Sequence, residues 1–169
     1  MTTLDSKEFA IDAVKLTKIY GSGNTEVVAM RDASMQVAQG EVVALLGPSG
    51  SGKSTFLTAV GLINPPTSGR ITIKGQLVLD GETEHANLRS FRRQHIGFIF
   101  QKSNLIPFLS AVENIQIAMQ LNGQSSGFAR RRAIELMDYL GVADRADNFP
   151  SMLSGGQQQR VGVARGLAA

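Results

Sequence analysis

The sequence predicts an α/β fold within one domain of ordinary size, 169 residues. Three observations predict it. A short continuous apolar run, EVVALL at 41–46, ends at a glycine, which is the pattern of a strand buried on both faces in a parallel sheet. A glycine-rich turn, GPSGSGKST, follows at once and opens onto a helical pattern, STFLTAVGL at 54–62. After residue 105 the texture changes from alternating to helical.

The elements follow in chain order. IDAVKLTKIY at 11–20 alternates in part and reads as a strand, and GSGN at 21–24 reads as a turn. EVVAMRDASMQVAQG at 26–40 suggests a second half-buried strand or a pair. The buried strand 41–46, the glycine turn and the helix 54–62 come next. GRITIKGQLVLDGE at 69–82 alternates and turns at glycines, which predicts a hairpin. IGFIF at 96–100 reads as another buried strand. Ser110 and Glu113 then have capping-box spacing, ahead of Val112, Ile115, Ala118 and Met119 on one helical face. Ala133, Leu136, Met137 and Leu140 form the same stripe in the next helix, which Gly141 can end.

Composition narrows the chemistry. The apolar share of 43% is enough for a sizeable core, and charged residues are 18%, below the usual quarter. With no cysteine there is no disulfide, thiolate zinc site or cysteine nucleophile, which fits a reducing compartment. The stretch MTTLDSKEFAIDAV carries acids early and no long apolar run, so it does not read as a signal peptide. No stretch approaches the roughly 18 apolar residues of a membrane span, so the chain reads as soluble and a membrane role needs a partner. The formal charge is +3 and the pI about 9.5. Arg89, Arg92 and Arg93 cluster, as do Arg130, Arg131 and Arg132. With few aromatics nearby these read as solvated helix faces rather than a nucleic-acid platform.

Residues Gly47, Pro48, Ser49, Gly50, Ser51, Gly52, Lys53, Ser54 and Thr55 match G-x-x-x-x-G-K-[ST] between a predicted strand and a predicted helix. The glycines let backbone N–H groups point inward, where they and the helix N-terminus can bind phosphate oxygens. Lys53 sets a positive charge against the β- and γ-phosphates, and the Ser54 hydroxyl can ligate Mg²⁺. A glycine-rich turn with an incidental lysine is the bland alternative. The motif does not choose among kinases, GTPases and transport ATPases.

A second motif, LSGGQQQR, begins at Leu153. Ser154 and Gln157 have capping-box spacing, and Gly155 and Gly156 leave the first-turn N–H groups open, so this is a second anion-binding helix N-terminus or simply a capped helix. Leu153 to Gln157 match the signature LSGGQ, and with the phosphate loop about 100 residues earlier the chain resembles the ATP-binding cassette (ABC) superfamily from about residue 11 onward. The stretches 20–55 and 96–115 look like the macrolide-exporter, lipoprotein-release and cell-division branch.

The resemblance implies a P-loop NTPase (RecA-like) core with an N-terminal antiparallel β subdomain and an inserted α-helical subdomain. It divides the chain into a β subdomain and P-loop core at 1–104, a helical subdomain at 105–152, and the signature motif with its helix at 153–169. It implies ATP and Mg²⁺ as ligands, with Tyr20 stacking on adenine and Lys53 serving catalysis. Gln101 would contact Mg²⁺ and the attacking water; Ser154, Gly155, Gly156 and Gln157 would bind the γ-phosphate held by a second subunit. Alone, Tyr20 reads as a half-buried strand end and Gln101 as a polar strand terminus. The implied function is the ATP-binding and ATP-hydrolysing subunit of a membrane exporter or mechanotransmission complex. It would work as a head-to-tail homodimer on the cytoplasmic face of the plasma (inner) membrane, against a permease contacted through 102–115, with no nucleic-acid partner.

Two rival readings are a non-transport ABC ATPase acting on ribosomes or DNA, and a nucleotide binder that cannot hydrolyse. The family also needs an apolar strand ending in Asp and Glu after the signature helix, and then a His. None stands there. Glu135, Asp138, Asp144, Asp147, His85 and His95 all come too early. The sequence thus reads as a C-terminally truncated part of a longer protein, inactive alone in hydrolysis. The strand 41–46 is expected to lack its ladder partners. Gly166 stands where the family usually has Ala, at a helical cost of about 1 kcal/mol.

Overall fold

A computed structural model describes residues 9–169, so the first eight residues of the N-terminal stretch read above lie outside it. The chain divides into two compact units, Met1–Arg89 and Ser90–Ala169.

In the first unit, β1 (Phe9–Tyr20) and β2 (Val27–Ala38) form a long antiparallel hairpin closed by a 3-10 turn at Gly23–Thr25. The strand-or-pair alternative for 26–40 thus resolves to one strand. Register shifts interrupt its pairing with β1, one of them at Lys15, whose φ of 50° marks a bulge. β3 (Ser68–Ile73), β4 (Gln76–Asp80) and β5 (Thr83–Glu84) complete an antiparallel sheet in the order β2-β1-β3-β4-β5. The expected hairpin is β3–β4, turned by Lys74 and Gly75, both at positive φ as a type I′ turn requires. Alternation places Leu16, Ile71 and Val78 in the core without exposure. Helix α1 (Lys53–Val60) buries Phe56, Ala59 and Val60 and packs against β1 and β2.

Two expected strands are not formed. Residues 41–48 have no strand pairing, and Val42 and Leu46 are 96% and 90% exposed. Residues 96–100 are likewise irregular, with Ile99 and Phe100 exposed. The reason is physical: an apolar run becomes a strand only when neighbours accept its ladder, and no described strand pairs with either segment.

The second unit is helical. α2 (Leu88–His95) crosses the boundary between the units and presents Arg89 and Arg93 to solvent. α3 (Ala111–Gln120), α4 (Ser126–Tyr139) and α5 (Gly155–Ala168) pack on one another around Val112, Ile115, Met119, Ala133, Met137 and Val161. The α3 and α4 stripes expected from periodicity supply this core. Gly141, at φ 65°, ends α4 in the left-handed conformation that favours glycine. Arg130, Arg131 and Arg132 are exposed on α4, where Arg130 meets Asp147 and Arg132 meets Glu135 at the surface. Gly166 lies in α5 where a Cβ would stand 2.8 Å from Ile99 Cγ1 and 3.2 Å from the Phe98 carbonyl, so its missing side chain admits that segment.

Candidate functional site

The phosphate-loop motif sits at the start of α1 in the first unit. Gly47, Gly50 and Gly52 have φ of 149°, 82° and 87°, so the loop curls through conformations that side chains rarely adopt. A Cβ on Gly47 would stand 2.8 Å from Ser51 Oγ, and one on Gly52 would stand 3.0 Å from the Ala29 carbonyl. Gly52 is the N-cap, and Phe56 N–H makes the first helical bond back to its carbonyl at 2.8 Å. The amides of Lys53, Ser54 and Thr55 meet no acceptor among the described residues. They form an open donor set at the positive end of the helix dipole.

Lys53 Nζ folds over the loop and donates to the Gly47 carbonyl at 2.8 Å, the Pro48 carbonyl at 2.6 Å and Ser51 Oγ at 3.3 Å. The cation thereby lies inside the glycine curve. Pro48, Ser49 and Ser54 are exposed along it. A hollow of about 340 Å³ touches the loop through Ser51 and Lys53, but Met30, Met35, Leu46 and Phe56 line much of the rest. Its chemistry suits an apolar group better than a phosphate.

The fold brings Tyr20 to the same end of the β1–β2 hairpin. Tyr20 pairs with Val27, and Ala29, whose carbonyl lies beside Gly52, is two residues further along β2. That is about 7 Å of strand. Tyr20 is 42% exposed. Lys18 Nζ lies 5.4 Å from its ring centroid and donates to the Pro65 carbonyl at 2.6 Å, and Asn64 Nδ2 bonds its hydroxyl. Lys18 and Asn64 carry no motif of their own, and only the folded chain reveals that they orient this ring.

The second unit holds the other candidates. Ser154 caps α5 with a complete capping box: its Oγ accepts from Gln157 N–H at 3.3 Å, and its own N–H donates to Gln157 Oε1 at 2.9 Å. Gly155 and Gly156 are exposed, a Cβ on either would meet nothing within 4 Å, and their amides have no acceptor among the described residues. Helix α3 is the contrast. Its capping box is also complete, but its Ala111 and Val112 amides donate to the Asn148 and Ala146 carbonyls. The N-terminus of α5 is open, and that of α3 is closed by the chain.

Gln101 is exposed on an irregular segment within this second unit. Beyond it, the turn 106–109 is fastened by Asn114, which is fully buried and was not singled out by any sequence pattern. Its Oδ1 accepts from Ile106 N–H at 2.6 Å, while its Nδ2 donates to the carbonyls of Ile106, Leu109 and Ser110. Phe108, on that turn, is 77% exposed. The pKa of Glu113 is lowered, chiefly because the Ser110 backbone N–H bonds its carboxylate and secondarily because the Ser110 hydroxyl does. No group of three or more His, Asp or Glu side chains converges among the described residues. His85 and His95 are exposed, His95 resting on Phe91 with ring centroids 4.5 Å apart.

The family model described as ABC transporter matches residues 30–169, which include both motifs and Gln101 but not Tyr20. The chain is 42% identical over 159 residues to an uncharacterized ABC transporter ATP-binding protein of Methanocaldococcus jannaschii, covering 94% of this chain and 70% of the relative. It is 45% identical over 157 residues to a macrolide export ATP-binding/permease protein of Hyphomonas neptunium, covering 93% of this chain but 24% of that much longer one. Among solved structures, a dimeric ATP-binding cassette in a post-hydrolysis state bound to ADP and Pi superposes with a TM-score of 0.83 at 36% identity. It covers 94% of this chain and 69% of the other.

Proposed function

The chain belongs to the ABC transporter family, and on that premise we propose that it is the ATP-binding, ATP-hydrolysing and energy-coupling subunit of an exporter or mechanotransmission complex, working as a head-to-tail dimer. The observation that carries the reading is the presence, in one chain, of two helix N-termini with unused amide donors. One has a lysine folded into its glycine loop; the other is bare. A triphosphate held between two chains uses both kinds.

In this reading the amides of Lys53 to Thr55 and the Lys53 ammonium hold the β- and γ-phosphates, the lysine exchanging its carbonyl partners for phosphate oxygens. Tyr20 stacks on the adenine. Ser154 to Gln157 of one protomer close over the γ-phosphate of its partner. Ser54 presents an exposed hydroxyl at the second position of α1, an oxygen donor suited to a hard cation; a role for Gln101 as a further amide-oxygen donor is proposed on the family resemblance alone. With no carboxylate cluster among the described residues, phosphate and water oxygens would complete a Mg²⁺ shell. Held there, Mg²⁺ would supply positive charge against the charge that develops on the leaving phosphate.

Hydrolysis also needs a group that polarises the attacking water, and no Asp or Glu follows Asp147 in this sequence. These 169 residues are therefore proposed to bind ATP, with turnover belonging to an assembly that includes such a carboxylate. No helix of the described residues is long and apolar enough to cross a membrane. The proposed place is the cytoplasmic membrane face, with Phe108 and its turn against a permease. The macrolide export relative joins ATP-binding and permease parts by its name, which supports that pairing.

The absence of cysteine makes the test clean. One preparation carries Ser49→Cys and another Gly156→Cys, so a bond between them must be intermolecular. Mixed with a short bifunctional thiol reagent, they should form a mixed dimer with Mg-ATP and little without it. Linkage that ignores ATP, or none at all, would sink the head-to-tail arrangement.

A further inference from the structure

Three side chains of α5, downstream of its open N-terminus, hold the segment around Gln101, two through its carbonyls and one through the Ser103 hydroxyl. Gln159 Nε2 donates to the Phe100 carbonyl at 3.2 Å. Arg165 donates from Nη2 to the Ser103 carbonyl at 2.7 Å and from Nη1 to the Asn104 carbonyl at 2.8 Å. Ser103 Oγ donates to Gln158 Oε1 at 3.3 Å, and Gln158 Nε2 donates to the Pro150 and Leu153 carbonyls. A polar chain therefore runs from the residue preceding Ser154, through Gln158, to the segment that follows Gln101. Gly162 faces this segment, and a Cβ there would make an ordinary contact with Ser103 at 3.5 Å. Asn104 has φ of 45°, a left-handed conformation that asparagine tolerates when its surroundings fix it. Burial lowers the pKa of Arg165, yet a guanidinium remains charged at neutral pH.

The geometry points to Arg165 as a positioning residue that clamps the Gln101–Asn104 stretch to the helix beginning at the LSGGQ turn, so that the two respond to nucleotide as one body. The roles of Gln101 and of the turn rest on the function proposed above; the clamp itself does not. Arg165 touches no nucleotide in this account. It acts by bridging two successive carbonyls with one planar fork, which a lysine ammonium reproduces poorly.

Lys102 is exposed between the clamped carbonyls of Phe100 and Ser103, so trypsin cleavage after Lys102 reports on the clamp. The rates are compared in the full chain with those of Arg165→Met, Arg165→Lys and Gln159→Leu, each followed by mass spectrometry. In nucleotide-free protein, Arg165→Met should speed that cut at least about tenfold, because two charge-assisted bonds are lost. Arg165→Lys should recover only part of it, and Gln159→Leu should give a smaller rise. Cleavage after Arg130 and Arg131 in α4 should stay within about twofold, which separates a local clamp from general loosening. An unchanged cut at Lys102, full rescue by lysine, or equal acceleration in α4 would overturn the proposal. In a second arm, Mg-ATP should slow the Lys102 cut in the wild type and not in Arg165→Met, while the two bind fluorescent ATP with equal affinity. Retained protection in the variant would overturn the coupling. Absence of ATP binding by the wild type would instead refute the proposed function, and the nucleotide-free comparison would still decide the clamp.

Discussion

Asn114→Ala should be among the most damaging single changes in the helical unit, although Asn114 lies in no motif. The wild-type side chain is fully buried and makes four bonds to the turn preceding α3. Truncation does not orphan all four groups. The Ser110 carbonyl keeps the Asn114 backbone N–H at 2.9 Å, and the Ile106 carbonyl keeps Leu109 N–H at 3.2 Å. The Ile106 N–H and the Leu109 carbonyl lose the partner they had. Two under-satisfied groups at about 1–3 kcal/mol each, toward the low end because the turn is half-buried, give a cost of about 3 kcal/mol. For a unit the size of Ser90–Ala169 that lowers the melting temperature by about 12 °C or more, read from helical circular dichroism. Asn114→Asp supplies a sharper check. Its carboxylate would face three carbonyls, so its folded pKa lies above its unfolded one. The variant should be most stable in acid and lose stability as pH rises through the folded value. A loss under about 1 kcal/mol in Asn114→Ala, or an Asp variant steadier at neutral pH than in acid, would refute the reasoning.

Two further outcomes follow from the same geometry. Glu113 has its pKa lowered from 4.5 by the Ser110 bonds, so its contribution to α3 is present above that value and lost as pH falls through the lower folded one. Glu113→Gln should remove that acid sensitivity while keeping the cap, and a melting profile with the same acid slope in both proteins would exclude the assignment. Gly52→Ala should weaken ATP binding at least about tenfold and destabilise the first unit by about 1–2 kcal/mol, because φ is 87° and the added Cβ meets the Ala29 carbonyl at 3.0 Å. Calorimetry with ATP and urea denaturation check the two halves of that statement.

Much of this architecture was legible before the fold was seen, and the reason lies in local rules. Alternation marked β1, β3 and β4, and the S-x-x-E and S-x-x-Q spacings marked the starts of α3 and α5, because a cap is satisfied within four residues of itself. The glycine loop was legible because its backbone angles demand glycine. What failed was non-local. EVVALL and IGFIF carry the hydrophobicity of buried strands, but hydrophobicity does not supply a neighbour with free N–H and C=O groups, and no described strand does so. Lys18 and Asn64 about Tyr20, Asn114 under its turn and Arg165 across Ser103 and Asn104 were invisible for the same reason. Each acts on a residue that its own sequence position does not announce.

The central claim is that Gly47–Thr55 holds the phosphates of ATP, and titration calorimetry of Mg-ATP into the wild-type chain and Lys53→Ala tests it most directly. The wild type should bind about one ATP per chain saturably, and Lys53→Ala should bind at least about thirtyfold more weakly through loss of a charge-assisted contact worth about 2 kcal/mol. Equal affinity in the two proteins, or no binding by the wild type, would contradict it.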